Sequence, residues 1–60
     1  MEVSEITEAL DFLFSELEFA PKDDKHLIAD IKADIKMIVS QNERSIPANY
    51  LEKAKALTTK

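Results

Sequence analysis

The sequence predicts an all-α protein, a small three-helix bundle whose neighbouring helices run antiparallel. The chain of 60 residues has no glycine, the residue that suits hairpin turns and weakens helices. Apolar residues recur at intervals of three and four in three stretches; of the two prolines, Pro21 lies between the first two stretches and Pro47 lies near the start of the third. We expect helices over about residues 3–19, 22–41 and 46–58, within one domain that spans 1–60.

The first predicted helix has one apolar seam, and Phe12 lies off it. Ser4 is the predicted N-cap, and Ala20 is biased away from helical angles because Pro21 follows it, so the helix ends by Phe19. At about 100° per residue, Phe12 points away from the seam. The seam consists of Val3, Ile6, Leu10, Leu13 and Leu17, with Phe14 beside it.

The second predicted helix is the centre of the bundle. Asp23 or Asp24 caps its start, and Asn42 is expected to end it in a left-handed conformation in the absence of glycine. One flank of this helix carries lysines and the other carries aspartates. The apolar face is Leu27, Ile28, Ile31, Ile35, Ile38 and Val39; the flanks are Lys25, Lys32 and Lys36, and Asp23, Asp30 and Asp34.

The third predicted helix has the weakest amphipathic pattern of the three. Ser45 is its predicted N-cap, and Pro47 lies in its first turn, where the missing N–H costs little. Its apolar side is formed by Ile46, Tyr50, Ala54 and Leu57, with Leu51 at the edge.

Charge is unevenly distributed along the chain, whose net charge is −4. Residues 1–20 carry six acids and no Lys or Arg, whereas residues 46–60 carry three lysines and one glutamate. A three-helix bundle places the first helix beside the third. We therefore expect the lysine flank of the second helix to face the first helix, and its aspartate flank to face the third.

Residues that could support catalysis or bind a cofactor are scarce. The chain has no cysteine and no glycine-rich phosphate loop, and His26 is its single histidine. Asp23 and Asp30 share a helix face with His26, so a divalent-metal site is conceivable, but carboxylate-rich faces are common on soluble helices. We expect no enzymatic activity, no cofactor and no metal.

Nucleic acids and membranes are disfavoured as partners. The net negative charge opposes nucleic-acid binding, and no apolar run is long enough to span a bilayer. No secretory signal peptide is evident, so we expect a cytoplasmic protein. The only candidate residues for contacts with nucleic acid lie near the C-terminus: Asn49, Tyr50, Lys53, Lys55 and Lys60.

Exposed hydrophobic side chains beside charges are typical of protein-binding patches. Phe12 and Phe19 are seven residues apart on the first helix, away from its apolar seam, and glutamates surround them. The sequence therefore predicts a small non-enzymatic regulator or adaptor that binds a protein through its acidic first helix. The predicted site is Phe12, Glu5, Glu8, Glu16 and Phe19.

Alternatives to this prediction remain open at the level of sequence. Phe19 is slightly favoured to fold back onto the core, and the third helix to cover a stripe of small residues on the second, formed by Ala29, Ala33 and Met37. A homodimer could pair the first two helices with their copies as a four-helix bundle. An acidic mimic of nucleic acid could instead occupy the site of a DNA-binding protein.

Overall fold

The computed structural model describes residues 2–59, and these form three α-helices and one 3₁₀ turn. The all-α, three-helix prediction is confirmed. Helix α1 agrees with its predicted bounds, whereas α2 and α3 both begin later than expected. The elements are α1 Val3–Phe19, α2 Lys25–Asn42, a 3₁₀ turn Glu43–Ser45, and α3 Ala48–Thr58.

Helix α1 begins and ends through backbone geometry. Glu2 occupies the N-cap position without a capping side chain, and the Ile6 amide donates to its carbonyl at 3.1 Å. The prediction of Ser4 as N-cap is wrong, because Ser4 lies inside the helix and its carbonyl accepts a hydrogen bond from the Thr7 hydroxyl. At the other end, Ala20 is extended with φ −64° and ψ 138°. The residue before proline therefore ends α1 as predicted.

Asp24 sets the start of α2. Its carboxylate accepts a hydrogen bond from the Leu27 amide at 3.1 Å, and its own amide donates to the carbonyl of Pro21 at 3.0 Å. Residues 21–24 thus form a turn rather than the first turn of a helix. Because an N-cap residue stands outside the helical backbone conformation, α2 starts at Lys25 and not at residue 22.

The connection from α2 to α3 differs from the prediction. Asn42 is not left-handed: its φ is −133°, and none of the residues described has a positive φ. Its side-chain amide donates to the Ile38 carbonyl at 3.0 Å, which satisfies a carbonyl near the end of α2 without a left-handed cap. Ser45 belongs to the 3₁₀ turn and is not an N-cap; Pro47 precedes α3, and the Leu51 amide bonds to its carbonyl.

The buried core draws on all three helices. Asp11 of α1 is bonded to Tyr50 of α3, and farther along both helices Leu17 lines the same groove as Leu57, so these two helices run parallel. Helix α2 returns between them and is antiparallel to both. None of the polar or charged side chains in residues 2–59 is buried. The core residues are Ile6, Leu10, Leu13, Phe14, Ile31, Ile35, Ile46 and Ala54.

The orientation of α2 is the reverse of the one predicted from charge. Lys36 lines a groove of about 240 Å³ between α2 and α3, together with Val39, Lys55 and Thr58. The lysine flank therefore borders α3, which leaves the aspartate flank on the side of α1. Exposed ion pairs contribute only about 0–1 kcal/mol each, so they are too weak to choose the arrangement. The partly buried Val39 lies on the lysine flank and packs against the core.

Candidate protein-interaction site

Two phenylalanines of α1 lie in contact with solvent. The side chain of Phe12 is 64% exposed at the middle of the helix, and that of Phe19 is 82% exposed at its last residue. Phe14, only two positions from Phe12, is 5% exposed. The expectation that Phe19 folds back onto the core is therefore wrong, and the outward direction predicted for Phe12 agrees with the structure.

The five residues of the predicted site share one face of α1. Glu5, Glu8 and Glu16 are exposed, as are both phenylalanines. At 3.6 residues per turn, the five lie within about 80° of one another around the helix axis, on the side away from the core. Phe12 and Phe19 are separated by about 10 Å along that axis. We refer to this surface, formed by Phe12, Phe19, Glu5, Glu8 and Glu16, as the Phe12 face.

The orientation of α1 is fixed by side-chain contacts with α3. The Tyr50 hydroxyl donates to a carboxylate oxygen of Asp11 at 3.1 Å, and the Tyr50 ring stacks on Phe14 with 6.2 Å between centroids. The ammonium group of Lys53 lies 5.0 Å from the centre of the Phe14 ring, within the range of a cation–π contact. With Asp11 and Phe14 turned toward α3, the Phe12 face is turned toward solvent.

The hydrogen bond to Asp11 also changes the acidity of Tyr50. It raises the pKa of the phenol, because ionised Tyr50 would lose the bond and repel the carboxylate; desolvation and the charge of Asp11 act in the same direction. Tyr50 and Lys53 are two of the five residues of the nucleic-acid candidate on α3, and both contact α1. Lys60, which also belonged to that candidate, lies outside the described residues.

Helix α2 exposes hydrophobic side chains that the sequence did not assign to a surface. Ala29 and Ala33 are exposed and Met37 is 54% exposed, so the expectation that α3 covers this stripe is wrong. Leu27, predicted for the core face, is 37% exposed. The only sign in the sequence that Leu27 is exposed is its position at the edge of the apolar face of α2. This position predicts exposure only once it is known which helix packs beside that edge.

Potential ligand-binding features elsewhere are limited. Across residues 2–59 no three His, Asp or Glu side chains are grouped as metal ligands, and His26, Asp23 and Asp30 are exposed on α2 and the turn before it. A cavity of about 730 Å³ is an open hollow at the 3₁₀ turn, lined by Ser40–Ser45 and Leu51. In the same described range, no helix is both long and apolar enough to cross a membrane.

Comparisons with known proteins identify no relative of this chain. No protein-family model matches the chain, and no curated protein or solved structure matches it either. A function for this chain must therefore be inferred from the chemistry of its own surface.

Proposed function

We propose that this protein is a small, non-enzymatic interaction module, a regulator or adaptor, that binds another protein through the Phe12 face. The observation that carries the proposal is the 64% exposure of Phe12 at the centre of α1, among exposed glutamates. Helix α1 already has a buried phenylalanine, Phe14, where it packs against α3. Phe12 is not needed to complete the core, and an aromatic side chain held in water favours a partner that covers it.

The two phenylalanines can supply much of the binding energy. Full burial of a phenylalanine side chain contributes about 1.5–3 kcal/mol, and aromatic anchors near the centre of an interface dominate many alanine scans. Phe12 and Phe19, about two helical turns apart, would fill two neighbouring pockets of one groove. This arrangement corresponds to helix-in-groove recognition, in which an amphipathic helix presents anchors at intervals such as i and i+7.

The glutamates of the Phe12 face favour a basic partner. The phenylalanines are surrounded by Glu5, Glu8 and Glu16. Helix α1 contains no Lys or Arg that could neutralise these glutamates. Charged groups at the rim of an interface raise the association rate and exclude partners of the same sign more than they add affinity. The partner we propose therefore has an apolar groove edged by lysine or arginine.

The proposal is tested by comparing Phe12→Ala with Val3→Ala as bait in affinity capture from the native cell. Val3 is 49% exposed on the same helix but lies off the Phe12 face, so its truncation is a matched control. We expect a protein retained by the wild type and by Val3→Ala to be lost with Phe12→Ala, while the helical circular dichroism of all three agrees. Equal retention by the two variants would contradict the proposal.

Two alternative partners are separated by simple solution measurements. A symmetric homodimer through the Phe12 face would bring the glutamates of both copies together, so we expect a monomer by sedimentation at micromolar concentration. A mimic of nucleic acid would lose its partner steeply as salt rises. A complex anchored by Phe12 and Phe19 depends mainly on apolar burial and should lose affinity much less steeply over the same range.

A further inference from the structure

The position of α3 leaves the opposite side of the α1/α2 pair uncovered. Helix α1 meets α3 along the flank that carries Asp11 and Phe14, and α2 meets it along the flank that carries Lys36 and Val39. On α1, Glu16 lies about 160° from Phe14, past the core, and Phe12 lies about 40° farther round. On α2, Leu27 and Asp34 lie about 120–140° from Val39, past the core. A furrow between α1 and α2 lies there, on the side away from α3.

Hydrophobic and acidic side chains from both helices border this furrow. Phe12 and Glu16 lie on the α1 side, and Leu27 and Asp34 on the α2 side; all four are exposed. The helices are antiparallel and rise about 1.5 Å per residue from Phe19 and Lys25 at their connection. Leu27 is therefore about one residue from the level of Glu16, and Asp34 is about 3 Å beyond the level of Phe12. We name the surface formed by Phe12, Glu16, Leu27 and Asp34 the α1/α2 furrow.

The charges of the furrow identify the kind of molecule that covers it. Glu16 of α1 and Asp34 of α2 are both negative and flank the same furrow, with no Lys or Arg from α1 between them. Like charges on adjacent elements destabilise the isolated protein, each by a small amount. A cationic partner would replace this repulsion with attraction, whereas a second copy of this chain would add more acids.

We propose that the α1/α2 furrow binds a lysine- or arginine-rich amphipathic helix of the partner, which packs as a fourth helix against α1 and α2. Its apolar face would cover Phe12 and Leu27, and its cationic residues would meet Glu16 and Asp34. This inference rests on the proposed function, extends the site from α1 onto α2, and specifies the partner's chemistry. The long dimension of the molecule, 33 Å, accommodates a helix of roughly 18 residues, which is about 27 Å long.

A titration of the full-length, ¹⁵N-labelled protein with synthetic peptides tests the proposal. The probe is an 18-residue amphipathic helix with leucines on one face and lysines on the other; one control has the same composition in scrambled order, and another has glutamate in place of lysine. We expect the amide signals of Leu27, Asp34 and Phe12 to shift together with the probe, and affinity at least about tenfold higher than for either control. Shifts confined to α1, equal binding of the scrambled peptide, or no binding would overturn it.

A pair of charge-neutralising variants separates this inference from the proposed function. Asp34→Asn removes one charge from the furrow, and Glu52→Gln removes one charge from α3, so both proteins have the same net charge. We expect Asp34→Asn to weaken binding of the lysine probe about three- to fivefold without lowering the thermal midpoint, and Glu52→Gln to weaken it less than twofold.

The outcomes of this comparison have distinct meanings. Equal effects of Asp34→Asn and Glu52→Gln would overturn the furrow as the site, since general attraction would then explain the binding. If Phe12→Ala abolishes binding while Asp34→Asn and Leu27→Ala have no effect, the site is limited to α1 and only the inference fails. If none of these variants weakens binding, the proposed function fails as well.

Discussion

At the scale of single residues, the directions of side chains on a regular helix could be predicted, and the conformations at helix ends could not. Phe12 lies on the outer side of α1 because its angle to the apolar seam is fixed by helical geometry. The slight preference for Phe19 folding back onto the core is wrong, and so is the left-handed conformation predicted for Asn42. Each residue stands at the end of a helix, where the path of the next few residues decides what its side chain can contact, and that path depends on tertiary packing.

The hydrogen bond between Tyr50 and Asp11 makes stability depend on pH in the alkaline range. The folded protein raises the pKa of Tyr50, so its stabilising effect is complete below the ordinary value of about 10 and is lost as pH rises through the higher folded value. We expect the urea midpoint of the wild type to exceed that of Tyr50→Phe from pH 7 to about 10, and this difference to close at higher pH.

Asp11→Asn is the control for this prediction, because it keeps an acceptor for the phenol and removes the charge. The urea midpoint of Asp11→Asn is compared with that of the double variant Asp11→Asn/Tyr50→Phe. The difference between these two midpoints should close at lower pH than in the wild-type background, since the carboxylate no longer opposes ionisation of Tyr50. A difference between wild type and Tyr50→Phe that stays constant at all pH values would show that the Asp11 contact does not act in solution.

At the scale of elements, periodicity located all three helices, and local capping decided where two of them begin. The apolar pattern placed α1 correctly because a proline ends it and its seam runs the full length. For α2, the sequence offered Asp23 and Asp24 as equal candidates, and the structure selects Asp24. For α3, Ser45 resembles an N-cap but falls in the 3₁₀ turn, directly before the buried Ile46.

Replacement of Asp24 by alanine tests the capping assignment. The alanine side chain cannot accept the hydrogen bond that the Leu27 amide donates to the Asp24 carboxylate. We therefore expect the free energy of unfolding to fall by about 1 kcal/mol. Asp23→Ala removes the same charge one residue earlier and should change it by less than about 0.5 kcal/mol. Urea denaturation measures both. Equal losses would indicate that charge near the helix start, rather than the cap, is responsible.

At the scale of the whole molecule, the fold class followed from the sequence and the arrangement of charge did not. The prediction that lysines of α2 would face α1 assumed that exposed ion pairs choose the arrangement, whereas burial of apolar residues such as Ile31 and Ile35 is worth more. The resulting molecule has acids on both sides of the α1/α2 furrow and lysines beside α3. The proposed site, which spans α1 and α2, could not be predicted without knowledge of which flanks of the two helices meet.

The central claim, that Phe12 is available to a partner and does not hold the core, is tested most directly by urea unfolding of Phe12→Ala beside Phe14→Ala. The two substitutions remove the same atoms two residues apart on α1, from a side chain 64% exposed and from one 5% exposed. We expect Phe12→Ala to change the free energy of unfolding by less than about 0.5 kcal/mol, and Phe14→Ala to lower it by about 3–5 kcal/mol or to unfold the protein. A loss for Phe12→Ala comparable to that for Phe14→Ala would place Phe12 in the core and contradict the claim.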